Sequence, residues 1–130
     1  MPLLLIVTMV ISCTPASADS WGDTHIDHID PITINTGETA KITAQLWISN
    51  GMWNNPGTWR NLRFIIKDET GNELFNQKKE TNWPDGEASV QIKLDTPGTY
   101  YVTVTYNGNN GQDLNACHTN TTITVKAKTA

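Results

Sequence analysis

The chain has 130 residues, a mass of 14.4 kDa and 38% hydrophobic residues, enough for one core and hence one domain. Nine Lys and Arg against 13 Asp and Glu leave a formal charge of −4 with no basic run, which excludes the electrostatic footprint of a nucleic-acid binder. Two cysteines exclude a disulfide-dense scaffold and a four-cysteine zinc site, so packing has to supply the stability.

Residues 3–11 (LLLIVTMVI) are apolar over the length of a secretory core and fall far short of the roughly 20 residues of a membrane-spanning helix. Pro15 breaks any helix, and Ala16 and Ala18 supply the small side chains of a signal-peptidase site. Residues 1–18 are therefore expected to be a signal peptide cleaved after Ala18, and the mature chain to be secreted or surface-associated without a stable membrane span. No basic residue follows Met1, as though the true start lay upstream. Val10-Ile11-Ser12-Cys13 offers a second route, because it resembles a bacterial lipobox in which Cys13 carries a lipid anchor. Either way Cys13 leaves the fold. Cys117 remains, either as a small buried hydrophobe or as a contact between two molecules.

Residues 19–30 are polar and acidic and read as a linker or as the entry to a first strand. From Pro31 the pattern is strand, turn, strand. Ile32 and Ile34 alternate with Thr33 and Asn35 before the turn residues Thr36-Gly37. Ala40, Ile42, Ala44, Leu46 and Ile48 then keep a period of two, with Lys41, Thr43 and Gln45 on the opposite side. Residues 49–61 break the pattern, and Leu62, Phe64 and Ile66 resume it before the turn at residues 68–72. Leu74 and Phe75 open a more polar segment whose Lys78, Lys79 and Glu80 suit a guarded edge strand. After the break at residues 82–86, Ala88, Val90, Ile92 and Leu94 alternate with Ser89, Gln91 and Lys93. Tyr100, Val102, Val104 and Tyr106 repeat the pattern, and Ile123 and Val125 point inward from a final strand. No stretch of ten residues keeps a 3.6 period. The expected fold is all-β: a two-sheet antiparallel sandwich of about seven strands over residues 31–127, with residues 128–130 as a tail.

Residues 95–102 (DTPGTYYV) resemble the turn and sixth strand of immunoglobulin-like domains. The resemblance implies that Tyr100 is a tyrosine-corner residue, its hydroxyl bonded back to the preceding turn. It also implies that Val102 stands where antibody domains carry a cysteine, so that aliphatic packing against Ala44 or Leu46 replaces the inter-sheet disulfide; Phe64 is a further expected structural residue. The wider order, Gly37 to Ala44, then Gly86-Glu87-Ala88, Thr96 to Tyr100, Val104 to Gly108 and Thr121 to Val125, is similar to the immunoglobulin-like repeats of prokaryotic surface proteins, especially those of methanogen adhesin-like proteins. That likeness implies a structural or adhesive role, with a cell-wall component or surface protein as partner.

Three groups of residues are candidates for chemistry. His25, Asp27, His28 and Asp30 offer imidazole and carboxylate ligands for a divalent ion. In an extended chain the first two share one face and the last two the other, so the plainer reading is a polar first strand. Trp53 and Trp59, with Met52, lie in a long loop and are either platforms for sugar rings or a hydrophobic partner, or caps folded over the core. Trp47 would join them by pointing away from the aliphatic face, and Trp83 reads as a turn residue packed on the sheet edge. Asn120-Thr121-Thr122 satisfies the glycosylation rule, though so short a motif also occurs by chance. A nucleophile elbow, a phosphate loop and a zincin helix are absent from the sequence, so neither an enzyme nor a cofactor is expected.

Overall fold

The computed structural model describes residues 22–108 and 114–128. The leader, its Ala18 site and Cys13 lie outside the described residues, as does Trp21. Nine strands are present in this part of the chain: β1 (Thr24–Ile26), β2 (Ile32–Asn35), β3 (Thr39–Ser49), β4 (Asn54–Pro56), β5 (Asn61–Lys67), β6 (Glu73–Glu80), β7 (Glu87–Lys93), β8 (Gly98–Tyr106) and β9 (Cys117–Lys126). Among the described residues no helix is long and apolar enough to cross a membrane.

The strands form two sheets. In the first, β3 is central, with β1 along one edge; on the other edge β7 pairs with residues 39–45 and β4 with residues 47–49. The second runs β2-β9-β8-β5-β6. Period-two alternation dictates both layers. Ala40, Ile42, Ala44 and Leu46 of β3, with Ala88 and Val90 of β7, are buried from one side. Leu62, Phe64 and Ile66 of β5, Tyr100, Val102, Val104 and Tyr106 of β8, and Ile123 and Val125 of β9 are buried from the other. All belong to one core cluster. The layers are complementary in bulk, since the first contributes three alanines and the second contributes the aromatic rings, which suits close packing. Phe64, Ile66, Val104 and Leu46 are fully enclosed.

Several details differ from the sequence expectation. The sandwich is not wholly antiparallel: β2 runs parallel to β9, with Ile32 opposite Ile123 and Asn35 opposite Lys126. Of the two readings of residues 19–30, residues 24–26 take that of a first strand, paired with β3 and with Thr24 opposite Ile48. The long loop after β3 contains β4, a three-residue strand whose Pro56 lies opposite Trp47. These short additions raise the count from about seven strands to nine. The edge strand β6 is exposed along nearly its whole length and carries Lys78, Lys79 and Glu80, charges that discourage pairing with another chain.

The Tyr100 hydroxyl donates to the Thr96 carbonyl oxygen at 2.6 Å, tying β8 to the turn that precedes it. Tyr100→Phe removes this bond and keeps the ring. It is expected to lower stability by about 0.5–1.5 kcal/mol in a urea titration while the circular dichroism spectrum stays unchanged.

Candidate binding surface

The antiparallel connections bring three loops to one end of the sandwich: residues 50–53 between β3 and β4, residues 57–60 between β4 and β5, and residues 81–86 between β6 and β7. Backbone bonds join the second and third of them to β3 and to each other. The Gly57 amide donates to the Leu46 carbonyl at 2.7 Å, the Leu46 amide to the Gly86 carbonyl at 2.9 Å, and the Trp59 amide to the Thr81 carbonyl at 3.1 Å. The buried Thr81 hydroxyl completes the clamp, donating to the Gly57 carbonyl and accepting from the Arg60 amide at 2.9 Å.

On this framework stand Met52, Trp53, Trp59 and Trp83, with relative exposures of 77%, 61%, 63% and 68%. The loop indoles therefore face solvent and do not cap the core, and Trp83 is not packed on the sheet edge. Trp47 behaves differently. It lies on the outer face of β3 opposite His25, and its indole N–H donates to Asp27 Oδ2 at 2.9 Å. His25 Nε2 lies 3.1 Å from Asp27 Oδ1, so one carboxylate joins both rings. His28 and Asp30 form a separate, exposed pair at 3.3 Å. Among the described residues no group of three or more His, Cys, Asp or Glu side chains gathers to hold a metal ion.

A cavity of about 270 Å³ opens beside Trp59, lined by Arg60, Asn61, Arg63, Lys78, Thr105 and Tyr106, together with Asn107 and Gly108. Its chemistry follows from register. Arg63 of β5 lies opposite Lys78 of β6 and Thr105 of β8, so two cations stand side by side on the outer face. Like charges directly opposite each other are destabilising. Arg63 Nη1 donates to Asn76 Oδ1, and among the described residues neither arginine nor Lys78 is in an ion pair. Trp59 is the non-glycine residue with positive φ, +60°, among those described. For a bulky side chain the left-handed region is strained, and such strain concentrates at working surfaces. Beneath lies Tyr106, 3% exposed, whose buried hydroxyl has no hydrogen-bond partner among the described residues. Burial raises its pKa above the ordinary phenol value, and the Arg60 charge opposes that rise.

The opposite end of the sandwich holds a second concavity of about 290 Å³, which includes Asp68, Glu69 and Tyr100. Its carboxylates are already engaged. Glu69 accepts from the Thr99 amide at 2.7 Å, and Asp68 accepts from the Thr70 hydroxyl and from the Thr70 and Asn72 amides, bonds that hold its pKa below the usual carboxylate value.

The other sequence-derived residues lie apart from the loop end's exposed indoles. Val102, Leu46 and Phe64 are core residues. Cys117 is buried at the start of β9. Asn120 is exposed on the outer face of β9, where its Oδ1 accepts from the Thr103 hydroxyl at 2.8 Å. Sequence reasoning missed Arg60, Arg63 and Lys78. A signal was present, because the two arginines are the only ones in the chain and both lie within four residues of Trp59.

Strand order, the β2–β9 pairing and the bond from Tyr100 to its preceding turn define an immunoglobulin-like β-sandwich. No family model and no curated protein matches the chain. Solved structures do. The immunoglobulin domain complex of titin M10 and obscurin-like 1 is 13% identical over 79% of this chain and 92% of that one, with a TM-score of 0.43. A CARDB domain from Pyrococcus furiosus, solved in complex with di-metal ions, is 11% identical over 86% and 100%, with a TM-score of 0.45. The superoxide reductase (neelaredoxin) of Ignicoccus hospitalis is 12% identical over 81% and 80%, with a TM-score of 0.41.

Proposed function

We propose that the chain is a secreted or surface-associated immunoglobulin-like module that works by adhesion rather than by catalysis, with a cell-wall component or surface protein as its partner. The observation that carries this reading is the group of exposed side chains at one end, Met52, Trp53, Trp59 and Trp83. Large indoles held in solvent by a hydrogen-bonded framework offer broad apolar contact area at small entropic cost, which is the composition of binding hot spots. The apolar leader and its Ala16/Ala18 site support export, with a lipid anchor at Cys13 as the second route. The wording shared with methanogen adhesin-like repeats points the same way.

A carbohydrate-binding module is the second reading, favoured by the position of Trp59 on the rim of a polar cavity. Both readings predict that contact depends on the loop indoles. The labelled chain, applied to polysaccharide and protein fractions of cell envelopes, is expected to be retained on at least one. The variant Trp53→Ala/Trp59→Asn/Trp83→Ala should reduce retention at least tenfold with little change in thermal unfolding. Asparagine is chosen at residue 59 because it tolerates positive φ. Equal retention of variant and parent would overturn the adhesive reading.

A further inference from the structure

We infer that the cavity beside Trp59 is a binding site for a carboxylated saccharide, a chain or chain end containing uronic acid. The inference rests on the adhesive reading and names the ligand class of that surface. The chain as a whole is acidic, at −4, yet its only two arginines, Arg60 and Arg63, line this one cavity together with Lys78, and among the described residues no acidic one lines it. Arg63 and Lys78 face each other across neighbouring strands without an ion-pair partner among the described residues, a repulsion that a bound anion would relieve. The planar guanidinium fork matches a carboxylate in two-point geometry, which a lone ammonium does not.

The remaining lining fits a sugar better than a bare anion. The exposed Trp59 indole presents a flat apolar face of the size of a pyranose ring. Asn61, Thr105 and Asn107 bring side chains that both donate and accept, as ring hydroxyls require. The volume of about 270 Å³ falls just below the usual range for drug-sized ligands, which suits one or two sugar rings and leaves the rest of a polymer outside. The backbone at Trp59 is held at φ +60° by the Thr81 clamp, so the point from which the ring projects is set before a ligand arrives.

Calorimetric titration of the full chain with hexamers of galacturonate, mannuronate and a glucuronate-containing repeat tests this. Methyl-esterified galacturonate hexamer, cellohexaose and hexa-aspartate serve as comparators. At least one uronate hexamer is expected to bind, with the affinity falling as salt rises. The ester and hexa-aspartate should bind at least tenfold more weakly. Arg60→Gln, Arg63→Gln and Trp59→Asn should each cost tenfold or more, whereas Lys41→Gln, which removes an exposed cation from β3 in the other sheet, should stay within twofold. Thermal unfolding of each variant verifies that the fold is kept. Equal binding of acid and ester, hexa-aspartate binding as tightly as a uronate, or no binding of any uronate would each overturn the proposal. The envelope-retention experiment separates the two failures: indole-dependent retention without uronate binding removes the cavity assignment and leaves the adhesive reading standing.

Discussion

Gly86→Ala is expected to lower the free energy of unfolding by about 2–5 kcal/mol, a large share of what a domain of this size possesses. Two physical causes act together. Gly86 has φ +73°, where an L side chain sets its Cβ against the following carbonyl. The added carbon would also lie 2.7 Å from the Gly57 nitrogen and 3.0 Å from the Leu46 oxygen. Both of those are backbone atoms, and they belong to the hydrogen bonds that join the β4–β5 loop to β3. No rotamer change relieves the contact, so the loops must part. The melting temperature should fall by more than about 10 °C. Trp59 and Trp83 sit on the displaced segments, so envelope retention should weaken even where the variant still folds. Gly71→Ala makes the natural comparison: its φ is also positive, at +90°, but no atom lies near its added carbon. It should therefore show the backbone cost without the clash.

Phe64→Ala should cost about 3–5 kcal/mol, because it removes the ring of a fully buried side chain in the middle of β5 and leaves a cavity that the sheets close only in part. Its neighbour distinguishes burial from position in the strand. Ile65 lies on the outer face of the same strand, opposite Asn76 and Thr103, and Ile65→Thr is expected to cost about 1 kcal/mol or less. Urea titrations of the two variants, compared at equal slope, check the contrast. Similar losses at both positions would mean that β5 is not one side of a sandwich.

The runs that alternate strictly, Ala40 to Leu46, Leu62 to Ile66, Ala88 to Val90 and Tyr100 to Tyr106, carry the two-layer architecture in plain view, since each fixes which face is buried. Periodicity is silent about partners and direction. Ile32 and Ile34 show that β2 turns one face inward, but not that it lies parallel to β9. The shortest strands escape for a different reason. Asn54-Asn55-Pro56 has poor strand propensity, and it becomes a strand only because the backbone of β3 lies beside it. The candidate surface was half legible. Trp53 and Trp59 stand out by residue type, yet the placement of the Trp59 loop rests on the bonds of Gly57, Thr81 and Gly86, which no local pattern announces, while Trp53 is held within its own loop by Asn50. The row Lys78–Arg63–Thr105 depends on the registers of three strands, with an irregularity at Ile66/Lys67, and emerges only when those strands are placed together.

The parallel pairing of β2 with β9 has a mechanical corollary. Tension applied through the segments that precede β2 and follow β9 pulls these two strands past each other lengthwise, so the bonds from Ile32–Ile123 to Asn35–Lys126 share the load instead of opening one after another. A hairpin drawn apart from its open end would unzip. This seam resists in shear, and its rupture rate under force, rather than equilibrium stability, would set how long the domain stays folded under load.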